Sequence, residues 1–192
     1  MLARHTNIID ILININVTFI NSYYFAYAKY LLRGRNREVL INYYRKIGIT
    51  IGKKCRIFSV IATPEPYLIF IGDNVTIAPG VRLITHDNSV SKVLPNATDI
   101  FGKIIIGNNC FIGVGSIILL GVSLGDNSIV AAGSVVTKSF PSNVVVGGNP
   151  AKIICTIEDY KSRIGGFCIS TKGLTKDEKR NLILNEADLI EK

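Results

Sequence analysis

From Ile106 to Pro141 the chain can be written in sixes: IGNNCF, IGVGSI, ILLGVS, LGDNSI, VAAGSV and VTKSFP. The first position is aliphatic each time: Ile106, Ile112, Ile118, Leu124, Val130 and Val136. The fifth holds Cys110, Ser116, Val122, Ser128, Ser134 and Phe140, small or medium-sized in all but the last. The fourth is Asn109, Gly115, Gly121, Asn127, Gly133 and Ser139, nearly all residues that tolerate a positive φ. A fixed period of this content describes a solenoid whose coils bury their apolar faces only by stacking on one another. Helical periodicity is absent, and glycine recurs where it would weaken a helix. Hairpin strands would alternate with period two and place their turns farther apart. The expected fold is an all-β solenoid, a parallel β-helix that turns every six residues.

The rest of the chain is placed relative to this run. The coil begins near Ile49, is broken in phase by Pro64-Glu65-Pro66, and resumes with first positions at Ile71, Ile77 and Leu83. Leu83 and Ile106 are 23 positions apart, not a multiple of six, so a loop must leave the coil over about 87–103. Long loops on a rigid scaffold commonly serve a site. A glycine-rich turn, Gly147-Gly148-Asn149-Pro150, ends the run, and beyond Cys155 the pattern is lost. The capping box Thr175-Lys176-Asp177-Glu178 predicts a short helix from Lys176 to about Leu189. Three segments result: an N-terminal helical segment over 1–46, the β-helix domain over 47–155, and a C-terminal tail with a helix over 156–192. A stripe of Tyr23, Tyr24, Tyr27 and Tyr30 in the first segment reads as a packing face, and the arginines that follow read as a solvated one.

Composition narrows the functional classes. A net charge of +8 favours an anionic ligand or surface. No block of five or six Lys and Arg occurs and stacking aromatics are sparse, so no nucleic-acid partner is expected. The four cysteines show no metal spacing. Cys55 and Cys110, at fifth positions, read as small core fillers of a reducing compartment. Two histidines make a three-histidine zinc site hard to assemble, so no metal is expected. Residues 8–32 carry too many polar groups for a membrane-spanning helix. No secretory signal is evident, and the expected location is the cytoplasm, with the inner membrane face as its variant.

His86, in Leu83-Ile84-Thr85-His86-Asp87, falls at the fourth, outward position of its hexad, where the coil gives way to the loop. A histidine there is either a surface group or a base suited to take a proton from an attacking hydroxyl. Asp87 either orients it, binds an acceptor or caps the loop.

The hexads, the THD after the APGV turn, the loop and the ending AAGSVVTKSFPSNVVVGGNPAKII resemble the hexapeptide-repeat acetyltransferases, in particular the sugar and antibiotic O-acetyltransferases. The resemblance spans about residues 40–155 and includes Pro64-Glu65-Pro66-Tyr67-Leu68-Ile69; the N-terminal 35 residues and the C-terminal tail lie outside it. It implies a left-handed coil, a homotrimer with each active site between two subunits, and acetyl-CoA as donor to a hydroxyl of a sugar or polysaccharide precursor. By position, it implies His86 as general base and Asp87 as a candidate acceptor contact. Ala132, Thr137 and Lys138 match positions along the acetyl-CoA groove. Lys152 stands where a basic residue often meets the CoA phosphates, with Gly148 and Asn149 shaping the turn; it follows Lys138 by 14 positions, which in a solenoid puts the two on nearly neighbouring coils, so both lysines can line one edge. Val114 replaces a serine often found near the pantetheine arm, leaving a backbone contact. Transfer would be direct, since the coil cysteines cannot reach a substrate. An N-acetyltransferase acting on an amino sugar would use the same groups, and a non-catalytic trimeric scaffold is the alternative of another class.

Overall fold

The computed structural model describes residues 24–28, 30 and 37–185. The rest of the expected N-terminal helical segment, including Tyr23, and the residues beyond Asn185 lie outside the described residues.

Among the described residues, thirteen of fifteen short strands make up three sheets, parallel throughout except for the last strand of sheet 2. Sheet 1 takes β1 (Thr50–Ile51), β3 (Ile69–Ile71), β8 (Ile104–Ile106) and β11 (Ser123–Leu124). Sheet 2 runs β2 (Arg56–Ile57), β4 (Thr76–Ile77), β9 (Phe111–Ile112), β12 (Ile129–Val130), β14 (Val144–Gly148) and β15 (Ala151–Thr156). Sheet 3 holds β5 (Arg82–Leu83), β10 (Ile117–Ile118) and β13 (Val135–Val136). In the regular part, Ile105 opposes Ser123, Phe111 opposes Ile129 and Ile117 opposes Val135, each 18 positions on. Three hexads therefore make one coil, and the molecule is a three-sided parallel β-helix.

Side-chain size accounts for this arrangement. The first-position residues Ile106, Ile112, Ile118, Leu124, Val130 and Val136 are all buried, as are the fifth-position residues Cys110, Ser116, Val122, Ser128, Ser134 and Phe140. The fourth position turns each corner: Asn109, Gly115, Gly121, Asn127 and Gly133 all have positive φ, whereas Ser139 does not. Along the corner from sheet 1 to sheet 2, four asparagines in that conformation stack as an amide ladder. Asn74 donates to Asn109 at 2.7 Å, Asn109 to Asn127 at 2.9 Å and Asn127 to Asn143 at 2.9 Å.

Two irregularities position the site. Thr50 pairs with Phe70 and Arg56 with Thr76, 20 positions apart, so the lowest coil is two residues over length in the stretch that carries Pro64-Glu65-Pro66. Arg82 pairs with Ile117, 35 positions on, so 17 residues are inserted at the corner from sheet 3 to sheet 1. This excursion begins and ends in a two-stranded antiparallel ladder, β6 (His86–Asp87) with β7 (Ile100–Phe101).

Both ends of the coil are closed. Helix α1 (Glu38–Lys46) buries Leu40, Ile41 and Tyr44 on one face against the first coil. The Tyr44 hydroxyl donates to the Ser59 carbonyl and accepts from the Ile61 N–H. Arg45 donates to the Ile51 and Gly52 carbonyls, so it fastens the helix to the coil instead of lying on a solvated face. Tyr24 and Tyr27 of the expected packing stripe are exposed in the single chain, and Tyr30 packs partly against the core. At the other end the glycine-rich turn closes a hairpin, and antiparallel β15 covers the edge of β14. Helix α2 (Ile157–Ile164) follows in a region where the hexad pattern gave no structure; it is started by a reciprocal Thr156–Asp159 capping box. Helix α3 (Lys176–Asn185) starts at the expected box, with Glu178 accepting from the Thr175 N–H at 2.7 Å. No helix among the described residues is long and apolar enough to cross a membrane.

The ladder yields a test of the corner geometry. Asn127→Ala removes two amide hydrogen bonds and forces a side chain into the left-handed region at φ 56°. Asn127→Gly removes the same bonds without that steric penalty. The alanine variant should unfold at lower denaturant than the glycine variant, by about 1 kcal/mol, with both below the parent.

Candidate active site

His86 is fixed from two sides. Its backbone sits in the β6–β7 ladder opposite Phe101, and the Gly102 N–H donates to the Thr85 carbonyl at 3.0 Å. Its Nδ1 lies 2.9 Å from Glu65 Oε2. The same carboxylate oxygen accepts from the Thr85 hydroxyl at 2.8 Å, and Thr85 bonds in turn to Thr63 of the coil below. Thr63 and Thr85 are buried, and the Glu65 side chain is 12% exposed against 34% for His86. The two extra residues of the lowest coil are what allow Glu65 to stand behind the histidine.

This arrangement decides which nitrogen does what. A carboxylate can only accept hydrogen bonds, so in the neutral imidazole Nδ1 carries the proton and Nε2 keeps its lone pair. Among the described residues nothing bonds to Nε2. The group is an imidazole backed by a carboxylate, with its second ring nitrogen unused among the described residues.

Asp87 is engaged elsewhere. Its Oδ1 accepts from the Ser89 N–H at 2.7 Å, and the Ser89 backbone, then its hydroxyl, hold the carboxyl below its ordinary range; the neighbouring His86 contributes least. Of the readings open for Asp87, the geometry matches loop capping, and Glu65 occupies the position beside Nδ1. Burial pushes the thiols of Cys55 and Cys110 up, which suppresses the nucleophilic thiolate.

The other candidate residues divide between two corners. Thr137 and Lys138 follow β13 and lie two coils above His86 on its own corner, since β5, β10 and β13 stack in one sheet. Val114 and Ala132 follow β9 and β12 on the corner from sheet 2 to sheet 3, where the Gly133 N–H donates to the Val114 carbonyl at 2.8 Å. Asn149 and Lys152 belong to the hairpin that extends this second corner; Lys152 pairs with Gly147, which stacks on Ala131. Lys138 and Lys152, expected along one edge, therefore project from different corners of a single chain. Val114 and Ala132 do share a groove, of about 630 Å³, with Phe111, Ile129, Val145 and Tyr160.

Glu65, Phe111 and Tyr160 escaped the sequence reading as site residues. For Glu65 a signal was present: a carboxylate between two prolines at a break in the coil's phase, in a stretch shared with the resembling family.

Comparison with known proteins agrees with this architecture. A family model described as the hexapeptide repeat of succinyl-transferase matches residues 103–138. Protein CapG of Staphylococcus aureus is 46% identical over 164 residues, which cover 82% of this chain and 95% of CapG. Galactoside O-acetyltransferase of Escherichia coli (strain K12) is 37% identical over 137 residues, covering 71% of this chain and 59% of the enzyme. Among solved structures, a galactoside acetyltransferase in complex with coenzyme A superposes with a TM-score of 0.53 at 28% identity, over 73% of this chain and 80% of that one. The chain belongs to the hexapeptide-repeat acetyltransferases, within their sugar O-acetyltransferase branch.

The buried cluster behind His86 can be probed by stability. Glu65→Ala leaves His86 Nδ1 without its acceptor and the buried Thr85 hydroxyl with Thr63 alone. It should destabilise the chain by about 1–3 kcal/mol in denaturant titration. Glu65→Gln retains an acceptor oxygen and should lose clearly less.

Proposed function

We propose that the chain is an acetyl-CoA-dependent O-acetyltransferase that acetylates a hydroxyl of a sugar or glycan precursor, with His86 as general base. The observation that carries this reading is the outward imidazole whose Nδ1 rests on the buried Glu65, leaving Nε2 to receive a proton. A scaffold protein has no use for such a pair, whereas an alcohol, a weak nucleophile, needs deprotonation as it attacks a thioester.

The acceptor hydroxyl gives its proton to Nε2 while its oxygen adds to the thioester carbonyl. A backbone N–H beside the groove stabilises the resulting oxyanion. Glu65 supports the imidazolium through Nδ1. Collapse of the tetrahedral intermediate breaks the carbon–sulfur bond, and Nε2 returns its proton to the departing sulfur. The products are the acetyl ester and free CoA, with no acyl-enzyme.

Acetyl-CoA as donor is supported by family membership and by the coenzyme A complex of the structural relative. In this reading the apolar groove at Val114 and Ala132 takes the neutral pantetheine arm. Thr137, Lys138, Asn149 and Lys152 line the donor path, the two lysines meeting its phosphates. Because His86 and the groove stand on different corners, the site is completed by pairing the base corner of one chain with the groove corner of the next. A left-handed coil assembled as a homotrimer provides three such sites.

His86→Ala should lower the rate of acetyl transfer by about 10²–10⁴-fold, with acetyl-CoA binding by calorimetry retained. Glu65→Gln should lower kcat with little change in the KM for acetyl-CoA, since it acts on the charge formed in the transition state. Full activity in His86→Ala would place the base elsewhere. Sedimentation of the parent should give three chains per particle; an active monomer would rule out the shared site.

A further inference from the structure

The returning strand of the loop sets an aromatic ring beside the base. Phe101 is the direct ladder partner of His86, and the two rings stand 5.9 Å apart between centroids, inclined by 43°. The register is held by the Gly102 N–H on the Thr85 carbonyl, so Phe101 cannot slip along the ladder without disturbing the histidine. Phe101 is nevertheless 56% exposed, and its neighbour Ile100 is 46% exposed. One exposed apolar residue is ordinary for a protein surface. A rigidly registered one, whose ring borders a histidine with a free Nε2, is placed for contact with whatever that nitrogen deprotonates.

A sugar needs such a contact. The base addresses one hydroxyl, while a pyranose presents several of similar acidity, so a second interaction must choose among orientations. The rim of the ring is polar, but its faces carry C–H groups. Those C–H groups are weakly positive and suit the negative face of an aromatic ring. A sugar in van der Waals contact with Phe101, at about 4 Å, can present a hydroxyl to Nε2 at about 2.6–3.2 Å. The separation of the two rings lies within the span of one pyranose.

We infer that Phe101 is the acceptor platform: the sugar ring lies on its face while one hydroxyl points at His86. Phe101 is thus a positioning residue for a saccharide bearing a continuous C–H face. The inference rests on the sugar acetyl-transfer reading above.

The test uses the full chain, acetyl-CoA, and the methyl glycopyranosides of galactose, glucose and mannose as acceptors. Phe101→Leu keeps apolar bulk against His86 but removes the π face. With the best acceptor of the three, it should raise the acceptor KM by about five- to tenfold. The KM for acetyl-CoA and the pH profile of kcat should stay as in the parent, and Phe101→Tyr should restore acceptor KM. A purely structural role for Phe101 would instead move the pH profile, or leave Phe101→Leu equal to the parent; either result overturns the platform and spares the acetyltransferase reading. A parent enzyme that acetylates none of the three glycosides overturns the sugar reading and the platform together.

Discussion

The structure depends on how closely successive coils approach. Backbone N–H groups of one coil meet the carbonyls of the next along all three sheets, as where Gly113 donates to Val130 and Ala131 to Val146. At that spacing there is no room for a side chain just past four of the aliphatic first positions, where Gly72, Gly107, Gly113 and Gly125 stand. A Cβ on Gly113 would lie 2.5 Å from the Ala132 nitrogen, and one on Gly125 would lie 2.3 Å from the Ser142 nitrogen. The hexad is therefore a steric rule before it is a hydrophobic one. The first position fills the interior, the next lets the coils touch where it is glycine, and the fourth turns the corner. A coil built this way has no freedom to shift by one residue, because a shift would move every aliphatic group outward.

Such rigidity gives the departures their meaning. The coil accepts extra residues only at corners, and both insertions flank the same one, where the chain crosses from sheet 3 to sheet 1. The two-residue excess below supplies Glu65, and the 17-residue excursion above supplies His86 and Phe101. Each side chain is tied to the coil by hydrogen-bonded neighbours: the buried Thr63 and Thr85 under the carboxylate, and the Gly102–Thr85 bond under the ladder. A positioned base needs this support, since an imidazole free to rotate would exchange the roles of its two nitrogens.

What could be read in the sequence follows from the same distinction. The coil, its first and fifth positions, the loop and the C-terminal capping box were legible because each is local or periodic. The outward placement of His86 was legible because the hexad fixes side-chain direction. Its partner was not: Glu65 lies 21 positions earlier, and the contact exists only because two extra residues displace the lower coil. Adjacency in sequence pointed to Asp87, whose carboxylate instead satisfies the Ser89 N–H of the loop it begins. The lysines illustrate the opposite error. Spacing along the chain suggested one edge for Lys138 and Lys152, but a three-sided coil changes corner every six residues, and the β14–β15 hairpin then reverses direction. Helix α2 was missed although its Thr156–Asp159 box has the form used to predict α3.

The division between corners also separates the two halves of the chemistry. The groove at Val114 and Ala132 is made from coil positions, whose backbone is fixed by stacking, with Tyr160 of helix α2 added. The surroundings of His86 are made from an insertion, whose length and side chains the coil does not constrain. A surface of the first kind suits a ligand that does not change, and one of the second kind suits a ligand that does. In this chain the inserted part keeps Phe101 exposed beside the base. Phe101 stays outside because β7 must run antiparallel to β6 to hold His86, and a residue directly opposite the histidine in that ladder faces the same side. The fold that fixes the base thus also fixes what stands next to it.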